Sequence, residues 1–273
     1  MVIKHKSIAI LCTLTVSLLI AFLISKTGVL NTDPSLSGTS SVYPQEPDVT
    51  GITPPVVRVN AILKRGVLRV ATRNAPTTYY HGPLGPKGFE YDLAKDFANY
   101  LGVDLEIVVY DNIADILSAV SSESVDFAAA GITKTTERQQ SFLFGPSYQD
   151  IKQQVICNRQ RGAPKTISDL VNRDIHVISQ SSYVERLKAL AKDNPELSWT
   201  ENETASTEEL IHDVADGHIE CVVSDSNIVK LNQRYFPNIK TGISITENQP
   251  LAWTLNKQST TLKQVIEDWF TQY

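Results

Sequence analysis

Apolar and polar positions follow a pattern that predicts strands and helices in turn. Short apolar runs, typical of buried strands, stand at residues 67–72, 105–109, 125–130, 175–179 and 219–223. Between them, apolar residues recur every three or four positions and predict helices at residues 89–101, 113–120, 166–171, 182–192 and 208–215. Because the two patterns alternate, the sequence predicts an α/β fold with parallel sheets covered by helices.

The two halves of this pattern resemble each other. The segment DILSAVSSESVDFAAAG (115–131) aligns with ELIHDVADGHIECVVSD (209–225) at an offset of 94 positions. The alignment places Gly131 opposite Asp225, each at the end of a predicted strand. Ligands of open α/β sheets bind at the carboxyl ends of strands, so two such lobes would enclose a cleft between them. Generic helix–strand patterning is the alternative explanation of the alignment.

The first 60 residues have a different character. Lys4, His5 and Lys6 precede residues 7–25, which carry no charge. This is typical of a targeting segment, and residues 1–26 are either a signal peptide or a retained membrane anchor. Residues 27–60 contain five prolines and no periodicity, which indicates a flexible tether. We therefore expect a periplasmic, membrane-associated protein whose body begins near residue 61.

The charge balance argues against nucleic acid as a partner. The net charge is −5, and without Lys4, Lys6 and Lys26, 22 basic side chains face 30 acidic ones. No basic stripe is left to neutralise phosphates. The five histidines and three cysteines lack metal-ligand spacing and the glycine-rich cofactor motifs are absent, so we expect neither metal nor cofactor.

Two cysteines of the body, Cys157 and Cys221, lie in apolar, strand-like runs. An exported compartment permits a disulfide. Spacing alone does not bring two thiols close enough to bridge. The sequence therefore favours two buried thiols, which behave as small hydrophobes, over a disulfide.

The run Val125–Tyr148, VDFAAAGITKTTERQQSFLFGPSY, carries the clearest chemical signal. An apolar strand ends at Gly131, a hydroxyl-rich turn follows, and Arg138 comes next. A guanidinium group offers a fixed fork of donors that matches a planar carboxylate. Most arginines are solvated surface residues, but hydroxyls and the amides of a strand end surround this one. The run therefore predicts a carboxylate site.

Four segments together resemble the extracellular solute-binding proteins of family 3, the periplasmic amino-acid-binding type. They are GVLRVATR (66–73), GFEYDLAKDFANYLG (88–102), SVDFAAAGITKTTERQQSFLFGPSY (124–148) and IECVVSDSNIV (219–229). Three pieces are also similar to the N-terminal, solute-binding-like module of the membrane-bound lytic murein transglycosylase F family: RVATRNAPTTYY (69–80), GFEYDLAKDFANYLGVDLEIVV (88–109) and the pattern AAAGIT…ER…F…PSYQ…KQQVI (128–156). The resemblance implies a two-lobed, type II periplasmic-binding-protein-like fold. Its expected parts are lobe 1 at 61–154, lobe 2 at 155–246 and a return to lobe 1 at 247–273.

The resemblance also implies a site for an amino-acid-like zwitterion. Arg138 matches the family's arginine for the ligand carboxylate, and Thr133 adds a hydroxyl to the same group. Gly131 permits close approach of the ligand to the backbone. Asp225 matches the acid that holds the ligand's ammonium group. Its alternative is an N-cap for a helix at 227–231, and both roles can coexist.

Four further residues are ligand-binding candidates with open alternatives. Ser181 and Ser182 stand where a predicted strand turns into a helix, so amides there can bind a carboxylate. A plain N-cap serine is an equal alternative. Tyr79 and Tyr80 follow the first strand, where the family often places an aromatic residue over the ligand; packing between the lobes is the alternative. A ligand that bridges the lobes would favour their closure about a hinge.

In the transglycosylase F family this module precedes a lysozyme-like catalytic module that cleaves peptidoglycan strands. The sequence stops at Tyr273, before that module and one helix short of a usual binding-protein lobe. We therefore expect a fragment or truncated product without catalytic activity. Glu123-Ser124 matches the family's catalytic dipeptide, but a predicted exposed turn offers no pocket to raise the pKa of Glu123. No catalytic residue is assigned.

Three functions are consistent with these features. The first is an exported sensory module for an amino acid or a peptidoglycan-derived peptide. It would contact peptidoglycan through a full-length parent and the membrane through its N-terminal segment, at the outer membrane if the family pattern holds or at the inner membrane if the segment is retained. The second is a stand-alone amino-acid-binding protein of an ABC importer. The third is an enzyme, since some proteins of this fold are dehydratases that act on small acids.

Overall fold

The computed structural model describes residues 56–272, with side chains from residue 59 onward. The predicted targeting segment at 1–26 and most of the predicted tether lie outside these residues. Among the helices of the described part, none combines the length and the apolar character needed to cross a membrane.

The first half of the described chain forms lobe 1, in which five strands make one sheet. Its elements in chain order are α1 (Val56–Arg65), β1 (Val67–Thr72), β2 (Tyr80–Gly82), β3 (Gly85–Lys87), α2 (Phe89–Leu101), β4 (Asp104–Val109), α3 (Ile113–Ser121), β5 (Phe127–Ala128), α4 (Arg138–Ser141) and β6 (Phe142–Ile151). The strands β2 and β3 form a separate hairpin.

The second half forms lobe 2 and then returns to lobe 1. Lobe 2 contains β7 (Gln153–Asn158), β8 (Ile175–Ile178), α5 (Ser182–Ala191), β9 (Thr200–Asn202), α6 (Thr207–Asp216), β10 (Cys221–Asp225), α7 (Ser226–Asn232) and β11 (Ile239–Ser244). The return segment consists of β12 (Gln249–Asn256) and α8 (Thr260–Phe270). The strand orders are β4-β1-β5-β12-β6 in lobe 1 and β11-β7-β10-β8-β9 in lobe 2.

Both faces of the lobe 1 sheet are buried, as the apolar strand sequences indicate. Phe127 packs with α2 and α8 on one face, where its ring stacks on Trp253 of β12 at a centroid distance of 4.5 Å. The next residue, Ala128, packs on the other face with α3. This packing fixes the carboxyl ends of β1 and β5, which face the cleft.

The predicted two-lobed α/β fold is confirmed, but the sheets are mixed rather than parallel. β1 pairs in parallel with β4 and β5, whereas β12 pairs antiparallel with both of its neighbours, β5 and β6. The sequence conceals β6 because Gly145 and Pro146 lie within it. Pro146 is tolerated because β6 is an edge strand, where a missing N–H costs no ladder hydrogen bond.

Two predicted elements are shorter than expected. The strand expected at 125–130 is paired only over Phe127–Ala128, although residues 129 and 130 remain buried. The helix expected at 166–171 is a single 3₁₀ turn, Ser168–Leu170. Here the Asp169 carboxylate accepts hydrogen bonds from the amides of Lys165 and Thr166, which favours a capped turn over a longer helix.

Cys157 and Cys221 form a disulfide, so the expectation of two free thiols is wrong. β7 and β10 are antiparallel neighbours, and the two cysteines are direct register partners with Cα atoms 4.1 Å apart. Their separation of 64 residues gave no sign of this register. A structural disulfide is typical of an exported protein.

Candidate functional site

The two lobes meet at a small cavity of about 30 Å³, here called the head-group cavity. Its wall contains six of the eight ligand-binding residues predicted from the sequence: Gly131, Thr133, Arg138, Ser181, Ser182 and Asp225. The other two, Tyr79 and Tyr80, are not among its lining residues. Tyr79 packs edge-on against Tyr91 of α2, with ring centroids 5.6 Å apart, and Tyr80 is 38% exposed at the start of the hairpin.

Arg138 begins α4 and is buried in the wall of the cavity. Its Nη1 donates to the carbonyl oxygen of Thr133 at 3.3 Å, and its Nη2 to that of Gln180 at 3.5 Å. Its Nε lies 3.4 Å from a carboxylate oxygen of Glu185. Burial lowers the pKa of Arg138, while Glu185 and Asp225 oppose that shift. Both Nη contacts are long for hydrogen bonds. The guanidinium group can therefore form shorter hydrogen bonds with a bound carboxylate.

Hydroxyl groups join the two lobes beside this arginine. The Oγ of Ser182 donates to the Oγ1 of Thr133 at 3.3 Å and accepts from the side-chain amide of Gln153 at 3.0 Å. Ser181 occupies the N-cap position of α5, where its Oγ accepts from the amide of Val184. The hydroxyls of a lobe 1 turn and of a lobe 2 helix start therefore meet at one point.

Asp225 ends β10 and lies 5% exposed on the lobe 2 side of the cavity. It occupies the N-cap position of α7, as the alternative interpretation expects, but its side chain makes no capping hydrogen bond. Within the described residues its Oδ1 has no hydrogen-bond partner. Burial raises the pKa of Asp225 to about 7, although Arg73, Tyr183 and Arg138 oppose the shift.

Gly131 has a φ of 67°, a left-handed conformation that favours glycine. Its N–H donates to the Glu90 carboxylate at 2.6 Å. The other carboxylate oxygen of Glu90 accepts from the Tyr148 hydroxyl at 2.6 Å. Burial raises the pKa of Glu90 to about 7, against the effects of Tyr148, Gly131 and Arg73. Glu90 therefore fixes Gly131 from behind the cavity wall.

Sequence reasoning missed Arg73, which follows β1 and reaches across the cleft. Its Nη1 and Nη2 donate to the two carboxylate oxygens of Glu208 in α6, at 2.9 and 3.3 Å. A signal was present, since Arg73 directly follows the buried strand β1. Glu90 also left a signal, because it shares the apolar face of α2 with Leu93 and Phe97.

A larger space, here called the outer groove, adjoins the head-group cavity and has a volume of about 490 Å³. Four residues line both spaces: Arg73, Ile113, Ile178 and Thr207. Two of them come from each lobe, so the boundary between cavity and groove is itself a contact between the lobes.

The fold defines a two-lobed binding protein with its candidate site in the cleft. The family model of the bacterial extracellular solute-binding proteins, family 3, matches residues 68–272, and the chain belongs to that family.

Curated relatives share the sequence over most of this chain. Membrane-bound lytic murein transglycosylase F of Pseudoalteromonas translucida is 39% identical over 192 residues, which cover 70% of this chain and 41% of the relative. The protein of the same name from Aeromonas hydrophila is 36% identical over 219 residues, which cover 80% of this chain and 44% of the relative. The chain thus spans less than half the length of these relatives.

Solved structures of amino-acid-binding proteins share the fold. Holo ArgBP from T. maritima matches with a TM-score of 0.69 and 22% identity, covering 78% of this chain and 92% of the solved one. The amino acid ABC transporter substrate-binding protein AbpA from Streptococcus pneumoniae, bound to L-arginine, matches with a TM-score of 0.68 and 24% identity, covering 78% and 91%. At these identities the likeness concerns the fold alone.

Proposed function

We propose that this chain is an exported module that closes on an amino acid, or on a peptidoglycan-derived peptide, and senses it for a protein of the lytic transglycosylase F type. The observation that carries the proposal is the composition of the head-group cavity. Arg138 from lobe 1 and Asp225 from lobe 2 line the same cavity, and their charges are opposite when both are ionised.

The state of Asp225 favours a ligand with an ammonium group. A buried polar atom without a hydrogen-bond partner costs about 1–3 kcal/mol, and Oδ1 of Asp225 is such an atom in the described residues. A ligand ammonium group would donate to that oxygen and favour its ionised form. A carboxylate on the same ligand would meet the guanidinium of Arg138.

Such a ligand would bridge the lobes and hold them together. Arg138 and Thr133 belong to lobe 1, whereas Asp225 and Ser182 belong to lobe 2. Contacts with both groups exist only in the closed arrangement, so binding favours closure by differential contact. This is the property that a sensory module needs.

The role in peptidoglycan turnover is supported by the curated relatives, which are named membrane-bound lytic murein transglycosylase F. The buried disulfide and the extracellular family support an exported location. The stand-alone importer subunit is the second candidate. Its support is the fold shared with AbpA, an amino acid ABC transporter substrate-binding protein.

Calorimetric titration of the full 273-residue chain with L-alanine, L-glutamate and a peptidoglycan stem peptide tests the proposal. Arg138→Ala should lose at least about 2 kcal/mol, roughly thirtyfold in affinity, because it leaves the ligand carboxylate without its charged partner. Arg69→Ala is the matched control, since Arg69 is a partly exposed arginine on β1 whose pair is Glu106.

The outcomes separate the two candidates. Tighter binding of the stem peptide than of either amino acid supports the cell-wall sensor, and the reverse order favours the importer subunit. Absence of binding by the wild type, or unchanged binding by Arg138→Ala, would contradict both.

A further inference from the structure

We propose that Gln153 is a positioning residue of the carboxylate site, which acts through the hydroxyl group of Ser182 and orients that of Thr133 towards the ligand. This inference rests on the proposed binding of an amino acid in the head-group cavity. Gln153 does not line that cavity. Its side chain is fully buried behind the wall, in contact with Ser182.

Gln153 stands where the chain crosses between the lobes. It is the first residue of β7, and its backbone also contacts the segment that leads from β11 back to lobe 1. Its N–H donates to the Oγ1 of Thr246 at 2.9 Å, and its carbonyl oxygen accepts from the amide of Ile245 at 2.8 Å. Gln153 is also the register partner of Asp225 on β10. The backbone therefore fixes this residue between both crossings and the site.

The side chain of Gln153 makes one hydrogen bond within the described part of the chain. Its Nε2 donates to the Oγ of Ser182 at 3.0 Å, whereas its Oε1 has no partner there. A buried polar atom without a partner is unfavourable. An apolar side chain of similar length would avoid that cost, so what glutamine contributes at this position is the hydrogen bond that it donates.

The hydroxyl group of Ser182 passes the direction of this hydrogen bond on to Thr133. A serine hydroxyl has one hydrogen to donate and two lone pairs. One lone pair accepts from Gln153, and among the described residues the acceptor for its hydrogen is the Oγ1 of Thr133, at 3.3 Å. Hydrogen bonds in such a chain polarise and strengthen one another.

Thr133 is left with its own hydroxyl hydrogen to donate. The carbonyl oxygen of the same residue accepts from Nη1 of Arg138, so the hydroxyl and the guanidinium group belong to one part of the cavity wall. An ionised carboxylate accepts hydrogen bonds and donates none. Thr133 and Arg138 therefore offer donors to the same group of the ligand, and Gln153 sets the direction of the first of them.

The test is a double-mutant cycle between Gln153 and Ser182, measured by calorimetric titration of the full chain with L-alanine and L-glutamate, which carry the same α-carboxylate. Gln153→Met keeps the length of the side chain and removes the donor. We expect it to bind at least about fivefold more weakly than the wild type, a difference of about 1 kcal/mol. In the Ser182→Ala background the same substitution should change the affinity by less than about twofold, because the hydroxyl through which it acts is absent.

Two further variants keep the test decisive. Gln153→Met leaves no new buried polar atom unpaired, since Ser182 can still donate to Thr133, and Gln153→Leu removes the same donor with a shorter apolar side chain. Both should show the same dependence on Ser182. Gln154→Met is the matched control, because Gln154 is the next residue of β7 and its amide contacts Ser244 instead. It should bind like the wild type.

Equal losses with and without the Ser182 hydroxyl would overturn the inference, because a purely structural role of Gln153 does not need that group. Wild-type affinity in Gln153→Met and Gln153→Leu would overturn it as well. Either result leaves the proposed amino-acid site intact. If the wild type binds neither amino acid, this inference fails, and if the stem peptide does not bind either, the proposed function fails with it.

Discussion

Two buried carboxyl groups set the electrostatics of the cleft. Burial raises the pKa of Asp225 and of Glu90 to about 7, and Arg73 opposes both shifts. Only Asp225 lines the cavity, whereas Glu90 lies behind Gly131. The two groups therefore titrate in the same range but differ in their access to a ligand.

The affinity for an amino acid should depend on pH through Asp225. Below pH 7 the carboxyl group is protonated and has to release a proton before it can pair with an ammonium group. We expect the affinity for L-alanine to rise by up to about tenfold per pH unit and to level off above pH 7. Titrations between about pH 5.5 and 8.5 measure this slope.

The matched variants assign the slope to one carboxyl group. Asp225→Asn should bind weakly at every pH and remove the slope, whereas Glu90→Gln should retain it because Glu90 does not line the cavity. An affinity of the wild type that does not change with pH would contradict this role of Asp225.

At the residue scale, the sequence predicts those site residues that are marked by adjacent residues in the chain. Arg138 and Thr133 are recognisable because the strand end and the hydroxyl-rich turn surround them in the chain. Arg73 acquires its role from Glu208, which lies 135 residues away. No local pattern records such a pairing, and none shows that the hairpin carries Tyr80 to an exposed position.

At the scale of elements, a glycine stands at each end of α2. Gly88 precedes α2 with a φ of 136°, and a Cβ atom there would lie 2.2 Å from the carbonyl oxygen of Thr78. That same oxygen accepts from the amide of Tyr91. Gly102, at the other end of α2, has a φ of 69° with open space around it.

The two glycines give a matched pair of substitutions. Gly102→Ala should lower the free energy of unfolding by about 1 kcal/mol, the cost of a left-handed conformation with a Cβ atom. Gly88→Ala should cost about 3 kcal/mol or more, because its Cβ also collides with backbone that has to shift. Urea unfolding measures both, and equal losses would contradict the proposed contact.

The sequence predicts elements with a strong local pattern better than elements that depend on pairing between distant segments. The predicted bounds of α2 hold because apolar periodicity lies between two glycines. The pairing of β6 with β12 was not predicted, because it joins segments that are far apart in the sequence. Their register is set by contacts such as Leu255 with Leu143, which no local pattern contains.

At the scale of the whole molecule, the lobes touch each other through charged side chains. Two pairs cross the cleft: Arg73 with Glu208, and Arg138 with Glu185. The arginines belong to lobe 1 and the glutamates to lobe 2. Separation of the lobes would break these pairs, so they favour the arrangement in which the lobes meet.

Removal of one pair should shift the ligand-free chain towards an open arrangement. Glu208→Gln weakens the bidentate contact, and small-angle X-ray scattering should give a larger radius of gyration than that of the wild type. Addition of saturating L-alanine should restore the smaller value, because the ligand supplies a second bridge. Glu106→Gln, which breaks an exposed pair within lobe 1, should leave the scattering unchanged.

The most direct test of the zwitterion site compares L-alanine with two analogues that each lack one charge. L-Alaninamide has no carboxylate for Arg138, and propionate has no ammonium group for Asp225. In calorimetric titrations of the wild type we expect L-alanine to bind and both analogues to bind at least about a hundredfold more weakly. Binding of either analogue with the affinity of L-alanine would contradict a site that needs both charges.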